Sequence, residues 1–102
     1  ALLSAGENGT AYITIAALDA LVQRHCRANQ RIKECESNVV AMPNGIAVSL
    51  KLQVLPDTVI PELSAQLQKS LKEYMETISG ITITGVDILI LPHVQLKTPK
   101  TI

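Results

Sequence analysis

Apolar and polar residues alternate along two neighbouring stretches in the middle of the chain, 32–41 and 46–55. Such alternation is typical of strands that bury one face of a sheet. Asn44-Gly45 lies between the two stretches, and this dipeptide favours a type I′ turn with a two-residue loop. The pattern therefore predicts an antiparallel hairpin in which Ala41 faces Val48 on the core side of the sheet.

Two other stretches have apolar residues at the spacing of a helix. The first follows Thr14, a suitable N-cap, and its apolar residues are Ile15, Leu18, Leu21, Val22 and Cys26. The second runs from Pro61 to about Ser79, and its apolar residues are Leu63, Leu67, Leu71, Met75 and Ile78. Gly80 suits the left-handed residue that ends a helix. The sequence therefore predicts two amphipathic helices, each with one face in the core.

Shorter strands are predicted near both ends of the chain, at Thr10–Ile13 and Ile81–Leu91, while residues 1–9 are predicted as a loop. In the last strand, Gly85 is expected to form a bulge, because the alternation changes phase there. The order β-α-β-β-α-β predicts an α+β two-layer sandwich, with a four-stranded, mostly antiparallel sheet and both helices on one face. Residues 1–92 are predicted to form one domain, and residues 93–102 a mobile C-terminal tail.

Composition excludes several classes of function. Hydrophobic residues make up 47% of the 102 residues but aromatic residues only 2%, and nine basic side chains balance nine acidic ones. An RNA-binding domain of this topology would need aromatic residues and basic charge. No run of residues is apolar enough to span a membrane. The sequence therefore predicts a protein that binds no nucleic acid and has no membrane span within this chain.

The residues with chemical potential show no catalytic, metal-binding or cofactor-binding pattern. His25 has no ligand-type residue four positions away, so we interpret it as a boundary residue of the first helix. The two cysteines lack metal or disulfide-framework spacing, and we interpret them as slowly reacting, reduced thiols in a cytosolic setting. Cys35 is predicted to be a small buried residue rather than a nucleophile. No enzymatic activity is predicted.

Several short structural motifs occur along the chain: Ser4-Ala5-Gly6, Ile13-Thr14-Ile15, the Asn-Gly hairpin, Val54-Leu55-Pro56-Asp57, Ile60-Pro61-Glu62-Leu63 and Ser79-Gly80-Ile81. Taken together, these motifs resemble the alkaline shock protein family. The resemblance extends to Pro92, and its motifs are structural rather than catalytic. Leu55-Pro56-Asp57 is most similar to the cytoplasmic domain of the family's membrane-anchored member. Ala17 departs from the family, which has an acidic residue there to close a capping box.

The resemblance implies a non-enzymatic adaptor. In the family, the anchored member recruits a soluble alkaline shock protein to the cytoplasmic face of a Gram-positive cell membrane during envelope stress. The membrane hairpin would precede this chain, which begins Ala-Leu-Leu without a methionine and is expected to be processed or a fragment. A homo-oligomer is a further expected partner arrangement. The alternative is a small-molecule-sensing regulatory domain, which the same topology also builds and which fold alone does not separate.

The sheet face opposite the helices is the predicted partner surface. Alternation directs five large apolar side chains and one lysine there: Val40, Met42, Lys51, Leu55, Leu89 and Leu91. A contiguous patch of that size, a few hundred Å², is commonly functional on a monomer. The alternative is that the tail 93–102 covers this face through Leu96 and Ile102.

Overall fold

The computed structural model describes residues 2–6 and 9–91. Its elements, in chain order, are β1 (Leu2–Gly6), β2 (Gly9–Tyr12), α1 (Ile15–Arg27), β3 (Ile32–Met42), β4 (Gly45–Val54), α2 (Ile60–Ser79) and β5 (Ile83–Ile90). The strands β3, β4 and β5 form one sheet in that order, in which β4 is antiparallel to β3 and parallel to β5. β1 and β2 form a separate antiparallel pair. The predicted tail, 93–102, lies outside the described residues.

The predicted α+β architecture, with two helices over one face of a sheet, is confirmed. The four-stranded, mostly antiparallel sheet is not, because the predicted first strand pairs with Leu2–Gly6, which we expected to be loop. The residues of β2 are Gly9-Thr10-Ala11-Tyr12, and all four are exposed. This strand has no alternating set of large apolar side chains to bury beneath the helices, so hydrophobic burial does not draw it into the main sheet.

β5 lies parallel to β4 because α2 connects them. A helix that crosses the sheet returns the chain to the end from which the previous strand started, whereas a tight hairpin reverses it. The start of β5 is tied to α2 through Glu76, whose Oε2 accepts hydrogen bonds from Lys72 Nζ at 2.6 Å and from the Ile83 amide at 2.9 Å. Lys72 Nζ also donates to the Ile83 carbonyl oxygen at 3.2 Å. The pair therefore fixes the helix to the strand as well as bridging one turn of the helix.

The predicted β3–β4 hairpin forms, but its turn lies one residue earlier than predicted. Met42 pairs with Gly45, so the loop is Pro43-Asn44, and Ala41 faces Ile46 instead of Val48. The turn is not type I′, which needs positive φ at both loop residues, because no non-glycine residue in the described chain has positive φ. The pairing is shifted by two residues on β4. A shift of two leaves every side chain on its predicted face.

Gly45 lies outside the turn, at a point where the backbone at Thr82 approaches it closely. Its φ is +152°, and a Cβ placed on it would lie 2.2 Å from the carbonyl oxygen of Thr82. The Ile46 amide donates to the same oxygen at 2.9 Å. Gly45 therefore lets the segment before β5 pack against the start of β4.

Local signals in the sequence explain the ends of the elements. The Ala17 amide donates to Thr14 Oγ1 at 3.0 Å, which confirms the predicted N-cap of α1. Gly80 has a φ of +73° and its amide donates to the Glu76 carbonyl, which confirms the predicted left-handed end of α2. The predicted bulge is also confirmed, since the pairing of β5 with β4 gains one residue between Ile83 and Gly85.

The core is one aliphatic cluster between the sheet and the two helices. β4 contributes every second residue: Ile46, Val48, Leu50, Leu52 and Val54. The helices contribute Leu18, Val22 and Cys26 from α1 and Leu63, Leu67, Leu71 and Met75 from α2, as predicted. Ile78 was predicted to join them but is 56% exposed. The buried residues of α2 recur every fourth position, so Ser79 is buried there, and its hydroxyl donates to the Met75 carbonyl at 2.7 Å.

Two residues of α2 that differ in burial allow a test of which face of the helix lies in the core. Leu71 is fully buried, so Leu71→Ala is expected to lower the free energy of unfolding by about 2–5 kcal/mol. Ile78→Ala, on the exposed side of the same helix, is expected to change it by less than about 0.5 kcal/mol. Urea unfolding followed by circular dichroism measures both. Equal destabilisation by the two variants would show that the buried face of α2 is wrongly assigned.

A second test compares two glycines at the same end of the sheet. Gly45→Ala is expected to destabilise the domain by about 1–3 kcal/mol, because the added methyl group meets the Thr82 carbonyl. Gly85→Ala is the control, since a Cβ there has no atom within 4 Å. Thermal unfolding measures the difference, and a Gly45→Ala variant as stable as the Gly85→Ala variant contradicts the close approach.

Candidate protein-interaction surface

The sheet face directed away from the helices is called here the open face. It consists of alternate residues of three strands: Glu34, Glu36, Asn38, Val40 and Met42 on β3, Gly45, Ala47, Ser49, Lys51 and Gln53 on β4, and Gly85, Asp87 and Leu89 on β5. All are exposed or half-buried in the described chain. The open face therefore mixes apolar, charged and small side chains.

The apolar residues of the open face fall into two groups. Val40 and Met42, 47% and 43% exposed, lie at the hairpin end opposite Ala47 and Gly45; these four are the hairpin-end group. The other group, the Leu89 group, consists of Lys51, Leu55, Leu89 and Leu91 and lies towards the opposite end of β4. Leu89 is 55% exposed and pairs with Lys51.

Leu55 and Leu91 extend the Leu89 group beyond the ends of the strands. The Leu55 amide donates to the Arg31 carbonyl at 2.9 Å, and the Leu91 amide to the Leu52 carbonyl at 2.8 Å. Both residues are half-buried and continue the alternation of the open face. Leu89 is therefore the most exposed apolar residue of its group.

A polar band separates the two groups. Asn38 pairs with Ser49, and Ser49 pairs with Asp87. Ala47 and Lys51 are four residues apart on β4, which is about 13 Å along a strand. The six residues predicted from the sequence thus share one face, but their five apolar side chains do not form one contiguous patch.

The Leu89 group has charged neighbours. Lys51 pairs with Glu36 on one side and with Leu89 on the other, so a carboxylate, an ammonium group and an isobutyl group follow one another across the sheet. Glu34 lies one pleat further along β3, opposite Gln53. An apolar residue beside hydrogen-bonding and charged groups is the arrangement that protein interfaces use for an anchor and its rim.

A surface cleft that the sequence analysis missed lies at the start of α2. Arg31, Asp57, Thr58, Val59, Glu62, Leu63 and Gln66 line it. Arg31 Nη2 donates to Asp57 Oδ1 at 2.7 Å, and this hydrogen bond lowers the pKa of the Asp57 carboxyl. Both side chains are well exposed, so the pair contributes little to stability. The guanidinium group of this cleft is thus already engaged by a carboxylate of the same chain.

His25 joins the two helices. Its Nε2 lies 2.9 Å from Ser70 Oγ, and its ring stacks on Tyr74 with centroids 4.8 Å apart. Partial burial lowers the pKa of His25, because desolvation disfavours the charged ring. These contacts make it a packing residue at the helix boundary, as predicted.

Residues 2–6 and 9–91 contain neither a metal-ligating cluster nor a membrane-spanning helix. This part of the chain contains no group of three or more His, Cys, Asp or Glu side chains that could hold a metal ion. Nor does it contain a helix long and apolar enough to cross a membrane.

Comparison with known proteins shows a similarity of fold to a solved structure. No protein-family model and no curated protein matches this chain. Among solved structures, a MamM CTD with substitutions at a histidine, a glutamate and a cysteine has a TM-score of 0.55 at 9% sequence identity, covering 74% of this chain and 92% of that chain. A second MamM CTD form, with substitutions at an aspartate and a histidine, has a TM-score of 0.46 at 9% identity, covering 72% and 87%. The first match supports the α+β fold alone.

The lowered pKa of His25 predicts a pH dependence. The unfolded chain takes up a proton near the ordinary pKa of about 6.5, whereas folded His25 does so only at lower pH. Protons therefore bind preferentially to the unfolded state, and stability is expected to fall as pH decreases from about 7 to 5. His25→Gln should reduce this slope, measured by urea unfolding at several pH values. His93→Gln is the control for loss of the second histidine, and an unchanged slope in His25→Gln contradicts the assignment.

Proposed function

We propose that this chain is a non-enzymatic protein-interaction domain that binds its partner through the Leu89 group of the open face. The exposure of Leu89 on the sheet face that the helices leave uncovered is the observation that carries the proposal. A sheet face that is open to water is usually polar, whereas this one exposes Val40, Met42 and Leu89. Neighbouring apolar side chains on a surface mark contact sites more often than isolated ones do, and Leu55 and Leu91 lie in the same group as Leu89.

Charged residues beside Leu89 favour a selective contact. Lys51 and Glu36 lie in line with Leu89 across the three strands. A partner that presents an apolar side chain to Leu89 and complementary charges to its neighbours would exclude water from the centre and keep a polar rim. The polar band at Asn38, Ser49 and Asp87 limits the apolar contact to one end of the face.

The resemblance to the alkaline shock protein family supports a more specific role. In this proposal the domain belongs to a membrane-anchored adaptor, closest to the alkaline shock response membrane anchor protein, and recruits a soluble alkaline shock protein to the cytoplasmic face of the membrane in envelope stress. The anchor would belong to a segment that precedes this chain. Ile60-Pro61-Glu62-Leu63 and Ser79-Gly80-Ile81, which begin and end α2, carry much of the resemblance.

A small-molecule-sensing regulatory domain is the second candidate. The cleft at the start of α2, lined by Arg31 and Val59 among others, is the observation that favours it. A carboxylate or phosphate ligand would have to compete with Asp57 for Arg31. This competition makes the cleft the weaker of the two surfaces.

The central experiment compares two equally exposed apolar residues. Leu89→Lys is expected to weaken binding at least tenfold, about 1.4 kcal/mol, because it places an ammonium group in the apolar centre of the contact. Ile78→Lys is the matched control, since Ile78 is exposed to the same degree on α2. Sedimentation of the chain alone measures self-association, and calorimetry with a soluble alkaline shock protein measures partner binding.

The two measurements test the interaction surface and the adaptor role separately. Loss of self-association or of partner binding in a folded Leu89→Lys variant supports the open face. Leu91→Lys repeats the test within the same group. If Leu89→Lys and Leu91→Lys both keep their circular dichroism spectrum and bind as tightly as the unchanged chain, the open face is not the interface. Binding of the chain to itself, but not to the alkaline shock protein, would support the surface and contradict the adaptor role.

A further inference from the structure

The two cysteines meet at the contact between α1 and β3. Cys26 belongs to the buried face of α1 and is 0% exposed. Cys35 lies on the side of β3 that faces the helices, opposite Leu52, and packs against the same core cluster. Gln23, one turn before Cys26 on α1, donates to the Cys35 carbonyl oxygen, and Arg27, the next residue after Cys26, lines a surface cleft together with Cys35. The two free thiols thus lie where α1 packs on β3. The fold therefore juxtaposes the only two thiols of the sequence.

The two thiols differ in access to solvent. Cys26 is enclosed, whereas Cys35 is half-buried and lines a surface cleft with Arg27, Ile32, Lys33 and Glu34. Cys35 was predicted to be a small buried residue but is only half-buried, and the difference arises because β3 is an edge strand of the sheet. A reagent in solution therefore meets Cys35 first.

The two thiols also differ in acidity. The hydrogen bond from Cys26 lowers the pKa of Cys35, and the positive charge of Arg27 adds to this effect. Burial and the carboxylates of Asp19 and Glu36 oppose it. The hydrogen bond with Cys35, followed by burial, raises the pKa of Cys26. The accessible sulfur is thus the one that more readily becomes a thiolate, the form that reacts with oxidants.

Hydrogen bonds fix the position of α1 relative to β3 near the two cysteines. Gln23 Nε2 donates to the Cys35 carbonyl oxygen at 3.3 Å and to Ser37 Oγ at 2.7 Å. Ser37 Oγ in turn donates to Asp19 Oδ1 at 2.5 Å. These bonds join α1 to β3 at Cys35 and at Ser37, two residues further along the strand. Relative sliding of the helix and the strand would break them, so Cys26 and Cys35 keep their relative position.

We propose that Cys26 and Cys35 form a peroxide-sensitive dithiol, in which Cys35 is oxidised first and Cys26 then closes an intramolecular disulfide. The Cys35 thiolate attacks one oxygen of hydrogen peroxide, the O–O bond breaks, and the leaving hydroxide takes a proton to become water. Cys35 is then a sulfenic acid. The Cys26 sulfur attacks the Cys35 sulfur, the S–O bond breaks, and the second water leaves with the Cys26 proton. The two thiols together lose two electrons and two protons, and one peroxide becomes two waters.

An exposed, acidified thiol beside a resolving thiol is the arrangement of redox-sensing cysteines. In a reducing compartment, such disulfides are transient and regulatory rather than structural. Here the bond would link the last turn of α1 to the first half of β3. The inference is independent of the proposed interaction surface, because neither cysteine lies on the open face.

The test is the intact mass of the full chain after treatment with hydrogen peroxide, followed by alkylation in denaturant. The monomer is expected to lose about 2 Da and both alkylation sites. In Cys26→Ser, Cys35 should instead gain about 16 or 32 Da, because no thiol is present to resolve the sulfenic acid. Cys35→Ser should keep Cys26 as an alkylatable thiol under the same conditions, because Cys26 is enclosed, and peptide mapping separates this result from oxidation of the exposed Met42.

A second measurement uses the unchanged chain and needs no variant to fold. Iodoacetamide labelling under native conditions, located by peptide mapping, should modify Cys35 at least about tenfold faster than Cys26. The proposal is overturned if the peroxide-treated chain keeps two alkylatable thiols, or forms disulfide-linked dimers without the 2 Da loss in the monomer. It is also overturned if native labelling modifies the two cysteines at equal rates.

Discussion

Burial of one face of β4 is the constraint on which the rest of the structure depends. Every second residue of this strand is buried, and the strand pairs with β3 on one side and β5 on the other. Both helices cover the same face, because that is where β4 presents its apolar side chains. The opposite face is left with the residues between them, and these make up the candidate interaction surface. The core and the site are therefore two consequences of one alternating sequence.

Local pattern was sufficient to predict the two helices, the Thr14 and Gly80 caps, the existence of the hairpin and the bulge near Gly85, but not the position and type of the hairpin turn. Each depends on residues close together in sequence, where spacing and capping chemistry act directly. Strand order was not predictable in the same way. Nothing in 81–91 specifies that the strand lies parallel to β4, and nothing in Thr10–Ile13 specifies a partner in Leu2–Gly6. Those choices depend on where α2 crosses the sheet and on how little β2 can bury.

The candidate site, too, was predictable only in part. The residues of the open face were predicted, because a register shift of two leaves the faces unchanged. The separation of their apolar side chains into two groups was not predicted, because the distance between Val40 and Leu89 depends on the direction and offset of β5. The cysteines show the same limit. The sequence indicated that Cys26 and Cys35 each face the core, but only the packing of α1 on β3 sets the two residues beside each other and leaves Cys35 half-buried.

The crossover through α2 has a consequence for the order of folding. α1, β3 and β4 are neighbours in sequence and join through short loops, whereas the whole of α2 separates β5 from β4 along the chain. Contacts between residues far apart in sequence require the chain to close a longer loop, and they delay folding. We therefore expect the contact between Gly45 and Thr82 to form after the transition state. Loosening it would then speed unfolding and leave the folding rate nearly unchanged.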